Sequence, residues 1–229
     1  MRTPLPASPE LWEIPVTTRV EQVRRAVLQG ILSGAIRPGA RLIEAALAGQ
    51  LGVSQATVNQ ALQDLHAQGL VHKALNRGTT VRRFGPAELE ALFAVRAVLE
   101  SMAAQEVARR GERRALEELG RWVQQMRTAA TALDLARFYL ADYEFHQALY
   151  RLTGNPFLLQ ACQAVASAPF AYILCDRPRP LPVDYGEIAE DHQEVIEALR
   201  AGPHQALRLM RAKLEKWLKW QREFLSERP

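Results

Sequence analysis

Glycine and proline breaks cut residues 19–84 into pieces the length of short helices, and no other feature narrows the possible folds as far. Val20, Val23, Val27 and Ile31, with Leu28 and Leu32 beside them, recur at helical spacing and predict one apolar stripe that stops at Ser33-Gly34. Pro38-Gly39 is turn chemistry, and the helix-sized piece Glu44 to Leu51 then ends at Gly52. Ser54 can cap a third helix, running to Gln68, whose Val58, Ala61, Leu62 and Leu65 face inward before Gly69 ends it. Two short helices joined by a tight turn make a helix-turn-helix. Leu70-Val71-His72 and Thr79-Thr80-Val81 then flank a loop, Lys73 to Gly78, in which Asn76-Arg77-Gly78 can turn a hairpin, the wing.

Charge follows the same division. The chain of 229 residues carries a net charge of +4. Residues 1–84 hold ten Lys/Arg against five Asp/Glu, and residues 85–229 hold nineteen against twenty. A small basic unit beside a larger, nearly neutral one suits a reader of double-stranded DNA with a separate sensing or dimerising module, because phosphate neutralisation supplies most non-specific affinity. Apolar residues at 48% and charged residues at 24% exclude a disordered or collagen-like chain. No stretch is apolar for long enough to span a bilayer and the N-terminus lacks a secretory core, so a cytoplasmic protein with no membrane partner is expected. Cys162 and Cys175 show no metal spacing and are expected as reduced, packed thiols.

The run ILSGAIRPGARLIEAALAGQLGVSQATVNQALQDLHAQGLVHKALNRGTTV resembles the winged helix-turn-helix of the GntR family of bacterial transcription regulators, from Arg19 to Arg83. It departs from that family where DNA is read: Gln55, Asn59 and Gln60 stand where an arginine and an Arg-Glu pair are usual. No Lys or Arg lies between Ser54 and Gln68. Ser54, Gln55, Thr57, Asn59, Gln60 and Gln63 are the candidate readers, since an amide matches the N6 and N7 edge of adenine while the arginine partner of guanine is missing. An A/T-oriented operator follows, with an amide-rich face that has lost DNA binding as the alternative. Arg24, Arg25, Arg41, Lys73, Arg77, Arg82 and Arg83 are the expected phosphate contacts, Arg77 reaching toward a minor groove.

The second half shows no strand alternation and predicts six helices, near 86–109, 112–129, 131–153, 155–176, 185–201 and 203–226. The expected architecture is mostly α: a flexible tail over 1–14, a winged helix-turn-helix over 15–84 and an all-helical bundle over 85–229 that binds an effector and dimerises. LFAVRAVLE, DYEFHQALYRLTGNPFL, EDHQEVIEAL and ALRLMRAKLE resemble the FadR C-terminal domain, or FCD, and a count of six helices places the chain with its smaller, VanR-like subgroup.

That resemblance implies a divalent metal, zinc or similar, held by Asp142, His146 and His192 and used to bind a small carboxylate effector. Where the family has a fourth ligand, a histidine, this chain has Lys213. Two readings stay open: a three-ligand metal site, or the Lys213 ammonium in the metal's place, paired with Asp142 and reaching the effector, with Asp191 a solvated neighbour. Arg96 matches a family arginine facing the same cavity, or else bridges to Glu100 four residues on. Asn155 is expected as a helix cap, and Trp217, Trp220 and Phe224 as core; His66, His72 and His204 carry no assigned chemistry. The function expected is a homodimeric, effector-responsive transcription regulator and not an enzyme. A constitutive DNA-binding dimer and a metal-dependent enzyme on the C-terminal site are the alternatives.

Overall fold

The computed structural model describes residues 18–74, 78–165 and 183–226. The tail, Arg77 and its turn, Cys175 and the Pro178 to Pro182 loop lie outside them, as does the side chain of Phe224. Helix α1 (Arg19–Leu32) starts where Thr18 Oγ1 accepts from Glu21 N, and it buries Val23, Val27, Leu28, Ile31 and Leu32. That stripe packs on α3 (Gln55–Ala67), whose Val58, Ala61, Leu62 and Leu65 are fully buried. Between them α2 (Glu44–Leu51) stops at Gly52, which takes a φ of 64°, a left-handed conformation that glycine adopts without steric cost. Ser54 Oγ then accepts from Thr57 N and opens α3, as its sequence position predicts.

The wing forms from β2 (Val71–Ala74) and β3 (Gly78–Val81), paired antiparallel with His72 opposite Thr80. A third strand, β1 (Arg41–Leu42), lies on the other side of β3. The sequence reading missed it because two residues are too few to show alternation; only the exposed edge of β3 makes them a strand.

Six helices follow among the described residues: α4 (Pro86–Arg110), α5 (Arg113–Thr131), α6 (Leu135–Leu152), α7 (Pro156–Gln163), α8 (Tyr185–Ala201) and α9 (Pro203–Ser226). Two boundaries differ from expectation. Helix α5 runs to Thr131 and α6 begins only at Leu135, because Asp134 supplies the cap by accepting from Arg137 N. Helix α7 is capped by Asn155 as expected but ends at Gln163; Ala164 and Val165 form a turn, and the rest of the span predicted as helix to Asp176 lies outside the described residues. Helix α9 packs along α4, while α5 packs on α6 and α8. No helix among the described residues is long and apolar enough to cross a membrane. Cys162 is buried as a free thiol, and burial pushes it up to about 12, so it stays protonated and unreactive.

Helix α6 is the axis of this half, buried without a break from Ala141 to Tyr150. A helix buried all round should be apolar, yet this one carries Asp142, Glu144, His146 and Gln147. Buried polar groups are costly unless partnered, so their partners locate the site.

Candidate metal and effector site

Asp142 and His146 lie one turn apart on α6, and His192 comes to them from α8. Asp142 Oδ1 is 2.9 Å from His192 Nε2 and 3.5 Å from His146 Nε2, and the two Nε2 atoms are 3.3 Å apart. Three ligand atoms within 4.8 Å of one another form a metal-sized cluster. The outer ring nitrogens fix the tautomers. His146 Nδ1 is 3.2 Å from Glu100 Oε1 and His192 Nδ1 is 2.7 Å from Ile188 O, and both oxygens only accept, so each Nδ1 carries the proton. Each Nε2 then faces the Asp142 carboxylate, either as a lone pair that would bind a cation set between them or, in the protonated ring, as a donor to Asp142. The donor set fits a divalent ion.

Burial pushes the Asp142 carboxyl up, but hydrogen bonds from His146 and His192 outweigh it and hold the group well below the usual carboxylate range. Burial likewise raises Glu100, and Arg96 with His146 outweighs it, bringing that carboxyl to about 2. Both are therefore anions at neutral pH. Glu100 is fully buried and also accepts from the Tyr150 hydroxyl.

Arg96 does both things its sequence position allowed. Its Nε donates to Glu100 Oε1 at 3.0 Å, and its Nη2 lies 2.8 Å from His146 Nε2 at the cavity wall. Lys213 corrects the sequence reading. It reaches Asp191 at 2.5 Å and Glu194 at 2.8 Å instead of Asp142, so it stands at another part of the cavity wall and not in the metal's place. Asp191 is its partner, only 18% exposed, and not a solvated neighbour. The cavity has a volume of about 90 Å³. Trp217, expected only as core, is one of its walls, whereas Trp220 stacks edge-on against Trp217 at 5.3 Å.

Several expected DNA contacts are also engaged within the chain. Arg24 is buried, its Nε and Nη2 forked on Glu21 at 2.7 and 2.6 Å and its Nη1 3.1 Å from the Tyr143 hydroxyl; it joins α1 to α6 and is not a phosphate contact. Asn59 donates to Glu44 at 2.9 Å and accepts from Gln63 at 2.9 Å, so both ends of the amide expected to read a base are occupied. Glu44 also takes Lys73 at 3.3 Å, tying α2, α3 and β2 together. Gln60 donates to Asp64, and Ser54 and Thr57 share a hydroxyl contact. Gln55 is exposed on the first turn of α3; Arg25 and Arg41 are exposed too, Arg25 paired with Glu21. Arg82 pairs with Glu88 and Arg83 donates to Pro38 O.

The sequence reading also missed the junction between the halves. The Tyr143 hydroxyl accepts from Arg24 and donates to Gln68 Oε1 at 2.7 Å, at the end of α3. One signal was available: Tyr143 sits between Asp142 and His146 in a helix too polar to be simple core.

Residues 19–81 match the description "Bacterial regulatory proteins, gntR family" and residues 91–216 match "FCD domain". A probable D-xylose utilization operon transcriptional repressor of Paenarthrobacter nicotinovorans is 32% identical over 81% of this chain and 80% of its own. The HTH-type transcriptional regulator McbR of Escherichia coli is 26% identical over 86% of this chain and 88% of its own. A solved putative transcriptional regulator from Rhodococcus sp. RHA1 superposes with a TM-score of 0.67 at 27% identity, covering 90% of this chain and 98% of that one. The structure of E. coli McbR/YncC, at 24% identity, gives a TM-score of 0.69 over 93% and 99% and shares the fold. With its DNA-reading unit matched at one end and its helical domain over more than half its length, the chain belongs to the GntR family of bacterial regulatory proteins and carries an FCD domain.

Proposed function

We propose that the protein is a homodimeric transcription regulator whose operator affinity is set by a small carboxylate effector bound with a divalent metal at Asp142, His146 and His192. The observation that carries this reading is the position of Tyr143. The helix that supplies two of the three ligands also grips α1 through Arg24 and the end of the reading helix α3 through Gln68. A shift of α6 on ligand binding would reach both DNA-reading elements through one side chain.

The metal, when bound, supplies a Lewis-acid point that attracts a carboxylate. It would take the His146 lone pair that Arg96 now faces, which leaves the guanidinium for the effector. Gln55, Gln60 and Gln63 are then the base readers, with Arg25, Arg41 and Arg77 on phosphate and Asn59 as a brace. Val95, Val98 and Met102 form one apolar face of α4, each at least half exposed, and a second copy would cover it. The effector-responsive reading is preferred to a constitutive dimer because Lys213 pairs with Asp191 and leaves Asp142, His146 and His192 together. The enzyme reading finds no favour in a family of regulators.

Selection of duplexes from a random library by the purified full-length protein tests the proposal. An inverted repeat with half-sites about one helical turn apart is expected. Recovery of no preferred sequence, or of a single half-site, would overturn it.

A further inference from the structure

The walls of the cavity and its two charged regions specify the effector more narrowly than a small carboxylate. Among the described residues, six aromatic side chains, Phe93, Phe138, Tyr139, Phe145, Tyr185 and Trp217, line it. The Tyr139 and Tyr185 hydroxyls hydrogen-bond each other at 2.9 Å, so the two polar tips on this wall are turned to one another. A ligand with several hydroxyl groups would bury them here against ring faces, which costs affinity. An apolar body fits instead. A volume of about 90 Å³ holds roughly six to nine water-sized groups, which is the size of one ring or a short chain.

The charges set the head group. With a divalent ion, the end containing Asp142 and Glu100 sets those two carboxylates against the ion and the Arg96 guanidinium, leaving one net positive charge. At the other region, the Lys213 ammonium is already paired with Asp191 on the cavity wall and with Glu194 outside it, which leaves the wall there close to neutral. One end attracts an anion, and at the other Lys213 is already paired, so a second carboxylate gains nothing there.

We propose that the effector is a compact monocarboxylate with an apolar or aromatic body, and neither a polyhydroxylated sugar acid nor a dicarboxylate. This rests on the metal and effector reading above.

Calorimetric titration of the zinc-loaded full-length chain with benzoate, hexanoate, gluconate and succinate tests it. Benzoate or hexanoate should bind at least tenfold more tightly than gluconate and succinate, and should quench tryptophan fluorescence through Trp217. Asp191→Asn, which removes one of the two carboxylates from Lys213, should narrow the gap between succinate and benzoate. Preference for gluconate or succinate would overturn the proposed class while the effector reading stands. Binding of none of the four at millimolar concentration would overturn both.

Discussion

Tyr143→Phe removes one oxygen atom and keeps the ring that fills the junction. The lost hydroxyl accepts from Arg24 at 3.1 Å and donates to Gln68 at 2.7 Å, with the tyrosine side chain fully buried. A hydrogen bond to a charged donor contributes about 1.5–3 kcal/mol and a neutral one about 0.5–1.5 kcal/mol. Arg24 keeps its fork on Glu21, and Gln68 is only half-buried, so water can replace that partner. Both facts pull the total down to about 2 kcal/mol. Urea unfolding of wild type, Tyr143→Phe, Arg24→Leu and the double variant should give a coupling energy of about 1–2 kcal/mol between the two positions. Amide exchange in α1 and in the last turn of α3 should quicken by roughly thirtyfold where junction opening governs it, while α5 is unaffected. A coupling below about 0.3 kcal/mol with unchanged exchange in α3 would refute the view that this hydroxyl ties the halves together.

Glu100→Gln touches no metal, yet it should lower zinc affinity about 10–100-fold by freeing the His146 ring, and His146→Ala should abolish stoichiometric zinc; titration with a zinc indicator reads both. Asn59→Ala should weaken binding about equally on all operator variants, because it loosens the brace to Glu44, whereas Gln55→Ala should cost about 1–3 kcal/mol on one base pair only. Competition against single-substituted duplexes separates the two patterns, and a base-specific loss at Asn59 would restore it as a reader. Hydrogen bonds from Arg24 and Arg25, against the opposing effect of burial, hold the Glu21 carboxyl below its ordinary 4.5. Its contribution is therefore complete above pH 4.5 and fades as pH falls through the lower folded value, so the melting temperature of wild type should drop more steeply below pH 4.5 than that of Glu21→Gln.

The reading unit was legible because its signals are local. Gly52 and Ser54 announce the turn and cap between α2 and α3, and α2 runs from Glu44 to Leu51 as its sequence predicts. Strand β1 was not legible, since a two-residue strand exists only through its partner. In the helical half, Asp142, His146 and His192 all came from the resemblance to a known domain; the four-residue spacing agrees with a shared face for the first two, but nothing local links α8 to α6. The side-chain partners were the least legible part. Arg24 reads as a basic surface residue until α6 packs against α1, and Asn59 reads as a free amide until Glu44 comes within 2.9 Å. Lys213 looked like a substitute for a ligand, and the fold gave it two carboxylates of its own.

On the proposed function, occupancy of the α6 cavity changes how tightly the winged helices hold DNA. Operator affinity of the zinc-loaded protein, measured by fluorescence anisotropy on a duplex recovered by selection, tests this directly when repeated with saturating benzoate. A change in Kd of about 5–150-fold is predicted, the usual range for coupled sites, and it should shrink toward unity in Tyr143→Phe. Benzoate that binds the protein by calorimetry yet leaves operator Kd unchanged would contradict the account.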